Sequence, residues 1–491
     1  MIEIKTVNLK RAKVNTLVVP VCEDQDIHTD SSVASLIDMA KAYDEFNGKK
    51  GETLTLFQPD GTQIVRALFF GLGNAEKINA ESFRCVAGKA VGFGIKTGLA
   101  ALTIATPSAA NLLIDAQTIF KALMEGAVLG NHVFDHYKEK KEKKPIKQVV
   151  LMATAAQKKA YSGLAKTVAA VCGASITARQ WISTPSNDKQ PDTFAQMIKH
   201  ASTLPGLKTT IMDERWLEKQ KFGAMLAVGQ GSSASPRLVT VEYAPKGKKA
   251  RQTVVLVGKG VTFDSGGINL KPSGSIETMK MDMSGAAAVA GTMLAVAALK
   301  PDIKVVGVMP LVENMPSGTA IRPGDIVRSF AGKTIEIGNT DAEGRLILID
   351  AMAWAIKKYK PDTMIDLATL TGACMIALGE KIAGVFSSDQ QLAERIVASG
   401  EATHERCWPL PLPEDYKELL KNDFADLNNM SSSRYGGAIT AALFLSEFVG
   451  DTRWAHIDIA GPAWIKKASD YCGAGGTGFG VRLLCDWIGG V

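Results

Sequence analysis

The chain has 491 residues, of which 46% are hydrophobic and 22% are charged. This length exceeds the usual size of one hydrophobic core, so we expect two domains. The net charge of +6 and the pI near 8.7 exclude the strongly basic balance of a dedicated nucleic-acid binder, although they allow a local basic patch.

The amino terminus and the cysteines indicate where the chain resides. The opening stretch MIEIKTVNLKRAKVNTLVVPV alternates like a strand and lacks the apolar core of a signal peptide, and no uninterrupted apolar run is expected to span a membrane. The cysteines are scattered and contain no CxxC pair, so we expect reduced thiols in the cytoplasm and no membrane partner. They are Cys22, Cys85, Cys172, Cys374, Cys407, Cys472 and Cys485.

The first third of the chain alternates β-rich runs with helix-like stretches. The runs NTLVVPV, ETLTLF, RALFFGL, LTIAT and QVVLMAT predict strands, and we assign residues 1–156 to a small N-terminal α/β domain. The lysine-rich run KEKKEKKP at 138–145 predicts a solvated loop or helix end, because lysine and glutamate alternate there.

A long helical pattern follows and breaks at STPSND, where residues with loop and helix-cap preferences cluster. We predict a linker helix over 157–182 and a larger catalytic domain over 183–491. The latter contains strand-like runs at 253–258, 304–312, 363–370 and 454–461, with helices near 284–299 and 346–358. This alternation predicts a mostly parallel central sheet covered by helices.

Four acidic residues of the second domain lie near strand-like segments. Asp264 lies in KGVTFDSGGINLKP, Asp282 precedes the alanine-rich helix, and Asp341 and Glu343 follow KTIEIGN. Asp282 and Asp341 could each simply cap a helix. Because functional groups of open α/β sheets collect beyond the carboxyl ends of the strands, we expect the four carboxylates to converge.

Four carboxylates in one partly desolvated cleft would repel one another unless cations neutralised them. Two divalent ions supply the four positive charges that would match them. Paired metals about 3.5–4 Å apart activate a water molecule and polarise a substrate oxygen. The acidic residues therefore predict a dinuclear hydrolase centre.

Three basic residues share these segments, namely Lys259, Lys271 and Arg345. Lys259 could be an ordinary surface lysine. A lysine can bind a metal only when burial and neighbouring cations remove its proton. We therefore expect one lysine to be a metal ligand and the other to polarise the substrate.

The sequence does not contain the motifs of two other hydrolase classes. None of its six histidines lies in the carboxylate-bearing loops, and there is no HExxH for a mononuclear zinc protease. No GxSxG follows a strand, so a serine nucleophile is not indicated. The residues alone leave a dinuclear peptidase and a dinuclear phosphoesterase open.

Several motifs resemble those of the leucine aminopeptidase family, also called cytosol aminopeptidases. NTDAEGRLILIDA is similar to that family's signature, and VGKGVTFDSGGINLKP, MKMDMSGAAAV, ENMPSG, RPGDI, ATLTGAC, GGAIT and WAHIDIAG resemble its other blocks in the same order. The resemblance covers the C-terminal two thirds. It favours the peptidase over the phosphoesterase.

The resemblance implies a role for each position of the site. Asp264 and Glu343 would bridge both metals, Lys259 and Asp282 would complete the more tightly held site, and Asp341 would complete the more exchangeable one. Lys271 would polarise the scissile carbonyl, and Arg345 would hold a bicarbonate ion. With all four carboxylates used as ligands, a bound anion could move the proton.

The resemblance also implies the substrate and the assembly. Met279, Thr369 and Gly372 would line an apolar pocket for the first side chain, while the main-chain carbonyl of Leu370 would position a peptide substrate. We expect removal of leucine-like amino-terminal residues with Mn²⁺ or Zn²⁺, in a homohexamer. An additional DNA-binding accessory or regulatory role, suggested by some bacterial members, is an alternative that salt-sensitive binding would support.

Overall fold

The computed structural model describes residues 2–59, 63–247 and 249–491. Contacts within the chain divide it into two compact units. Unit 1 comprises Met1–Gly173 and Lys467–Ala474, and unit 2 comprises Ala174–Lys466 and Gly475–Val491. The segment Lys467–Ala474 thus groups with the N-terminal residues, whereas the predicted domain boundaries placed it in the catalytic domain.

Unit 1 is an α/β unit, as predicted. Its strands are β1 (Ile2–Lys5), β2 (Val14–Cys22), β3 (Thr53–Phe57), β4 (Ile64–Gly73), β5 (Ala101–Ile104) and β6 (Gln148–Met152), and its helices are α1 (Ser31–Lys41), α2 (Ala80–Thr97), α3 (Ala116–Gly130) and α4 (Ala155–Tyr161). The described strands form one sheet in the order β1-β6-β5-β2-β4-β3. All pairings in that order are parallel except that of β3 with β4.

Small residues allow α2 and α3 to approach closely. A Cβ atom at Gly126 would lie 2.1 Å from the carbonyl oxygen of Arg84, so only glycine permits this crossing. The Arg84 guanidinium is buried there and donates to Glu125 Oε2 at 2.6 Å. The segment Lys467–Ala474 joins this unit through Tyr471, whose hydroxyl donates to Glu81 at 2.8 Å.

The predicted linker helix is two helices. Helix α4 ends at Tyr161, and α5 (Leu164–Ser183) begins after Ser162 and Gly163. The division between the two units falls inside α5, after Gly173. The lysine-rich run 138–145 is irregular and fully exposed.

Unit 2 contains the remaining elements. Its strands are β7 (Leu207–Met212), β8 (Arg237–Tyr243), β9 (Thr253–Gly258), β10 (Gly260–Asp264), β11 (Lys304–Asn314), β12 (Ile326–Arg328), β13 (Thr334–Glu336), β14 (Thr363–Ala368), β15 (Ala383–Ser387), β16 (Cys407–Pro409), β17 (Leu427–Asn428), β18 (Trp454–Asp458), β19 (Trp464–Ile465) and β20 (Gly475–Gly476). Its helices are α6 (Pro191–Ala201), α7 (Glu214–Gln220), α8 (Gly223–Gly229), α9 (Ser284–Leu299), α10 (Glu343–Tyr359), α11 (Gly372–Leu378), α12 (Gln390–Thr403), α13 (Gly437–Ser446) and α14 (Val481–Gly489).

The central sheet of unit 2 is mostly parallel, which confirms the predicted fold class. Its described strands follow the order β16-β15-β18-β14-β9-β11-β8-β7, and β10 pairs with the end of β11. The middle strands β18, β14, β9 and β11 run parallel, while β8 and β7 add an antiparallel edge. The middle strands are buried except at Thr253, Lys304 and Glu313, as expected for strands covered on both faces.

The strand-like run KTIEIGN contains β13, which belongs to a small sheet with β12 and β17 and not to the central sheet. One sequence expectation near the site is corrected. Helix α10 begins at Glu343 rather than Leu346, so Glu343 and Arg345 lie on its first turn. An acidic side chain in the first turn is favourable near the positive end of the helix dipole.

Among the described residues, one segment, Ile276–Leu299, has the length and mean hydropathy of a membrane-spanning helix, although Glu277, Lys280 and Asp282 interrupt its apolar run. Of its most apolar window, 83% is buried inside the structure. It comprises a 3₁₀ helix (Ile276–Met281) and α9, which packs on β9, β11 and β14. The segment is therefore a core helix.

Candidate active site

Four elements of unit 2 bring the predicted acidic and basic residues together. Lys259 follows β9, and Asp264 ends β10. Asp282 follows the 3₁₀ helix, and Glu343 begins α10. Each residue therefore lies where a regular element starts or ends, which fixes the direction of its backbone.

The two helix-cap explanations are excluded. The N-cap residues of α9 and α10 are Met283 and Ala342. Asp282 instead accepts a hydrogen bond from the Thr369 hydroxyl at 2.7 Å and pairs with a lysine. Its carboxylate therefore belongs to the cluster and not to a helix terminus.

Lys259 is a buried lysine and not a surface residue. Its Nζ lies 2.8 Å from Asp282 Oδ2 and 2.8 Å from Glu343 Oε1, and it donates to the carbonyl oxygen of Thr369 at 2.9 Å. Burial disfavours its charge, but the surrounding carboxylates outweigh burial and raise its pKa. In this arrangement Lys259 is an ammonium that pairs with two carboxylates and neutralises one of their two charges.

Lys271 pairs with the other two carboxylates. Its Nζ lies 2.9 Å from Asp264 Oδ2 and 2.5 Å from Asp341 Oδ1. Both Asp341 and Lys271 retain some exposure, whereas Asp264 is buried. The side of the cluster that includes Lys271 is therefore the side that a substrate can reach.

Three carboxylates form a group suited to metal binding. Asp264, Asp341 and Glu343 each offer an oxygen, and these oxygens lie within 4.8 Å of one another. Among the described residues, Glu343 Oε2 has no hydrogen-bond partner although it is buried. An unpartnered buried carboxylate oxygen beside two other carboxylates fits a divalent cation.

The charges of the cluster do not balance without further cations. Two lysines neutralise two of the four negative charges. Burial, with repulsion from Asp264, raises the pKa of Glu343 to about 8, and burial raises the pKa of Asp282 to about 6. Burial also raises the pKa of Asp341. The site therefore favours protons or metal ions as additional positive charge.

Arg345 lies behind the carboxylates on the first turn of α10. Its Nη1 donates to the carbonyl oxygen of Asn429 at 2.7 Å, and its guanidinium lies 5.9 Å from the ring centre of Phe444. Burial lowers its pKa to about 10, so it remains charged at neutral pH. Its buried Nε has no partner among the described residues, which fits a bound anion.

Two of the predicted substrate residues, Met279 and Thr369, contact Asp282. Met279 accepts a hydrogen bond from the Asp282 amide through its carbonyl oxygen, and Thr369 binds the Asp282 side chain. Leu370 follows Thr369 and is half-buried. Gly372 begins α11, and a Cβ atom placed there would meet open space. The structure thus places Met279 and Thr369 together, with Gly372 bordering a free volume.

Asp458 is a buried residue that the sequence analysis did not single out. Its Oδ1 accepts from the amides of Leu370 and Ala460, and its Oδ2 accepts from the amide and hydroxyl of Thr371. The four distances lie between 2.7 and 3.2 Å. Asp458 therefore holds the turn that follows Thr369. Its signal in the sequence was an acidic residue inside the apolar run WAHIDIAG.

Lys189 is a second residue that the sequence analysis missed. Its Nζ is buried and donates to the carbonyl oxygens of Trp181 and Lys280, each at 2.8 Å. Burial lowers its pKa. This contact ties the end of α5 to the stretch that precedes Asp282. Lys189 lies in a polar loop in the sequence, where a lysine gives no signal of burial.

The glycine pair of the Asp264 loop, Gly266 and Gly267, adopts a tight turn. Gly266 and Gly267 have φ angles of +87° and +66°. A Cβ atom at Gly267 would lie 2.9 Å from Asn314 Oδ1 and 3.0 Å from Thr340 Oγ1. The loop therefore requires glycine both for its backbone and for the close approach of these side chains.

Sequence profiles of one family match both units of the chain. The profile described as "Cytosol aminopeptidase family, catalytic domain" matches residues 176–485. The profile described as "Cytosol aminopeptidase family, N-terminal domain" matches residues 18–141. The resemblance inferred from the sequence motifs is confirmed.

Individual relatives agree with these matches over nearly the whole chain. A "Probable cytosol aminopeptidase" from Geobacter sp. (strain M21) is 43% identical, covering 90% of this chain and 89% of the relative. One from Rhodopseudomonas palustris (strain BisB18) is 44% identical, covering 92% and 90%. The solved structure "Bottromycin maturation enzyme BotP in complex with Mn" has a TM-score of 0.85 and 33% identity, covering 97% and 99%.

Proposed function

This chain belongs to the cytosol aminopeptidase family and is a metal-dependent aminopeptidase. On that premise we propose that it removes leucine-like residues from the amino termini of peptides with two divalent metal ions and one bicarbonate ion. The observation that carries the proposal is the buried cluster of four carboxylates, in which two lysines neutralise only half of the negative charge.

The proposal assigns the metal ligands by position. Asp264, Asp282, Asp341 and Glu343 would hold two ions together with Lys259 in its uncharged amine form, with Asp264 and Glu343 shared between the ions. When bound, the ions activate a water molecule and polarise the scissile carbonyl. Mn²⁺ and Zn²⁺ both suit this set of oxygen and amine ligands. Manganese has the additional support of the Mn-containing BotP structure.

Lys271 and Arg345 have separate tasks in this proposal. Lys271 lies on the partly exposed side of the cluster, where its ammonium would donate a hydrogen bond to the carbonyl oxygen and stabilise the negative charge that develops there. Arg345 would hold bicarbonate through its unpartnered Nε. Bicarbonate when bound supplies a proton acceptor, since the four carboxylates are used as ligands.

The preference for leucine-like residues follows from the proposed pocket. Met279 contributes an adaptable apolar side chain, and Gly372 leaves space where other residues would place a Cβ atom. Thr369 is fixed by its bond to Asp282 and would close the pocket next to the metals. The carbonyl of Leu370 would accept a hydrogen bond from the peptide.

The test is hydrolysis of aminoacyl p-nitroanilides by the purified protein after chelation and after addition of Mn²⁺ or Zn²⁺. We expect activity to be lost on chelation, to return with metal and to be highest for leucine. Glu343→Ala should remain folded and inactive with metal, and Arg345→Ala should lose its response to added bicarbonate. Glu218→Ala, an exposed carboxylate variant, should behave as the parent.

Two outcomes would contradict the proposal. Activity that persists after complete removal of metal, or in folded Glu343→Ala, would reject the metal assignment. Faster hydrolysis of lysine or glutamate anilides than of the leucine anilide would reject the apolar pocket. Hydrolysis of phosphoesters in place of anilides would favour the phosphoesterase that the residues alone left open.

We also propose a homohexamer in the cytoplasm. Large apolar side chains of unit 2 are exposed, including Leu270, Ile376, Trp408, Phe424 and Tyr435, which favours contacts with further copies of the chain. All seven cysteines lie in described segments and are free thiols, as expected in a reducing compartment. Sedimentation should give six times the 52.3 kDa chain mass, and a monomer would reject the assembly.

A DNA-binding accessory role is the second candidate. The exposed run 138–145 carries five lysines and two glutamates, so it presents a net positive charge to solvent. Contacts to phosphates weaken steeply as salt rises. Replacing these lysines by glutamine should abolish DNA retardation while leaving anilide hydrolysis unchanged. Absence of salt-sensitive binding by the parent would reject this role.

A further inference from the structure

Asn314 ends strand β11 and is buried beside the carboxylate cluster. It belongs to the motif ENMPSG, which has no part in the proposed function so far. Its Cα pairs with that of Asp264 in the parallel ladder of β10 and β11. The residue therefore lies on a rigid element next to a proposed bridging ligand.

The side-chain amide of Asn314 contacts two parts of the site. Nδ2 donates to Asp264 Oδ1 at 2.9 Å and to the carbonyl oxygen of Thr340 at 3.0 Å. Both neighbours are acceptors, so the amide can only point its NH₂ group at them. One nitrogen thus joins the Asp264 loop to the loop that contains Asp341.

The contact with Thr340 fixes the peptide plane that leads into Asp341. Asn314 holds the carbonyl end of this peptide, and the Asp341 amide donates to Asn339 Oδ1 at 2.8 Å at the other end. A peptide held at both ends cannot rotate. The position of the Asp341 Cα atom therefore depends on Asn314.

The backbone of Asn314 is also held. Its carbonyl oxygen accepts from the Ser265 amide at 3.0 Å and from the Ser265 hydroxyl at 2.7 Å. Asp264 Oδ1 accepts a second bond from the Gly266 amide at 2.9 Å. With two donors on Oδ1, the Asp264 carboxylate has a fixed plane.

We propose that Asn314 is a positioning residue that sets the metal affinity at Asp264 and Asp341. The inference rests on the proposed function, because it takes these carboxylates as metal ligands. Groups that orient metal ligands by hydrogen bonding commonly change metal affinity by about 10–100-fold when they are removed. Asn314 holds Asp264, which is shared by the two proposed sites, and the peptide before Asp341, which belongs only to the weaker site, so the larger effect should fall on the weaker site.

The test is titration of the chelator-treated full chain with Mn²⁺, followed by the electron paramagnetic resonance signal of free and bound ion. Asn314→Leu keeps the side-chain volume and removes the donors, and Asn314→Ala removes both. We expect the dissociation constant of the weaker ion to rise at least tenfold in both variants, and that of the tighter ion to change less than threefold. The spectrum of coupled Mn²⁺ pairs should weaken in parallel.

Asn269→Ala is the matched control. Asn269 accepts from the Thr340 amide at 2.9 Å but makes no bond to Asp264. It should leave both dissociation constants within threefold of the parent. If Asn314→Leu and Asn314→Ala do not fold, Asn314→Ser, which retains a hydroxyl donor, provides the measurement and should give an intermediate affinity.

The outcomes distinguish failure of the proposed metal centre from failure of the proposed role of Asn314. A parent chain that binds no Mn²⁺ would overturn the proposed metal centre itself. A parent that binds two ions, with folded Asn314 variants within twofold of it at both sites, would overturn only the role of Asn314. An equal loss in Asn269→Ala would also overturn it, because the effect would then belong to the loop around Thr340.

Discussion

Nζ of Lys259 lies 2.8 Å from Oε1 of Glu343, and both side chains are buried. This pair joins the end of β9 to the first turn of α10. Gly344 makes the contact possible, because a Cβ atom there would lie 2.6 Å from Cε of Lys259. The glycine of NTDAEGR is thus required by the path of a lysine that lies far away in the sequence.

Gly344→Ala should therefore damage the site more than the fold. Alanine favours a helix over glycine by about 1 kcal/mol, but its methyl group would displace Lys259 from Glu343. We expect metal-supported activity to fall at least tenfold, with the free energy of unfolding changed by less than about 1 kcal/mol. Kinetics and urea denaturation measure the two effects, and unchanged activity would contradict the steric argument.

Gly267→Ala and Gly274→Ala form a matched pair. Both glycines have positive φ angles, but a Cβ atom at Gly267 meets Asn314 and Thr340, whereas one at Gly274 meets open space. Backbone strain should destabilise both variants by about 1–2 kcal/mol. Only Gly267→Ala should also lose Mn²⁺ affinity in a calorimetric titration. Equal Mn²⁺ affinity in the two variants would show that the clash is relieved elsewhere.

Gly372→Val tests the proposed substrate pocket. Because a Cβ atom at this position has no neighbour within 4 Å, the variant should fold normally. Its side chain should occupy space used by leucine, so kcat/KM should fall about tenfold for leucine p-nitroanilide and much less for the alanine substrate. A proportional loss for both substrates would place Gly372 outside the pocket.

Asp458→Asn tests the support of the turn after Thr369. The amide keeps one acceptor oxygen, but its NH₂ group would face N–H or O–H donors from which the carboxylate oxygen accepts hydrogen bonds. We expect a loss of about 1–3 kcal/mol in the free energy of unfolding and a raised KM for the leucine anilide. Thr371→Val, which loses only the hydroxyl, should show a smaller change in both. Unaltered KM in Asp458→Asn would limit its role to stability.

The buried carboxyl group of Asp350 should make the free energy of unfolding depend on pH, independently of the metal centre. Burial raises its pKa from an ordinary 3.8 to about 7, while its oxygens accept from the amides of Phe330 and Met225. Between these pH values the folded chain holds a proton that the unfolded chain releases. The contribution of Asp350 to stability is therefore complete below pH 3.8 and is lost as the pH rises through 7.

Asp350→Asn removes this titration. Relative to the variant, the parent should lose up to about 1.4 kcal/mol of unfolding free energy per pH unit across that interval. Denaturant titrations of both chains with chelator present, from pH 4 to pH 7.5, provide the comparison. Curves that stay parallel would show that Asp350 does not titrate in this range.

The sequence motifs located the site because its acidic residues lie at fixed, short distances in sequence from predicted strands and helices. Asp264, Asp282, Asp341 and Glu343 were each found beside a strand-like or helix-like segment, and the structure places three of them in one group while Lys259 joins Asp282 to Glu343. The alternative that Asp282 and Asp341 cap helices is excluded, because the N-cap residues are Met283 and Ala342. The carboxylates pair with lysines instead, because pairing with a buried lysine stabilises a carboxylate more than a helix terminus does.

Residues that hold other side chains in place were not indicated by the sequence as clearly as the charged residues of the site were. Asn314 and Lys189 contact Asp264 and Lys280, which lie 50 and 91 residues away in the sequence, and the sequence neighbours of Asn314 and Lys189 do not mark them as buried polar groups. The small sheet of β12, β13 and β17 was not predicted either. Its strands β12 and β17 are too short to show an alternation of apolar and polar residues.

Periodicity and spacing are local properties, so they were enough to predict the alternation of strands and helices, the mostly parallel sheet and the charged residues at its edge. The tertiary structure decided which charges meet, where α10 begins, and that Lys467–Ala474 groups with the N-terminal unit. These depend on burial and on contacts between distant segments. Desolvation makes each buried charge depend on its partners, and those partners are set only when the chain folds.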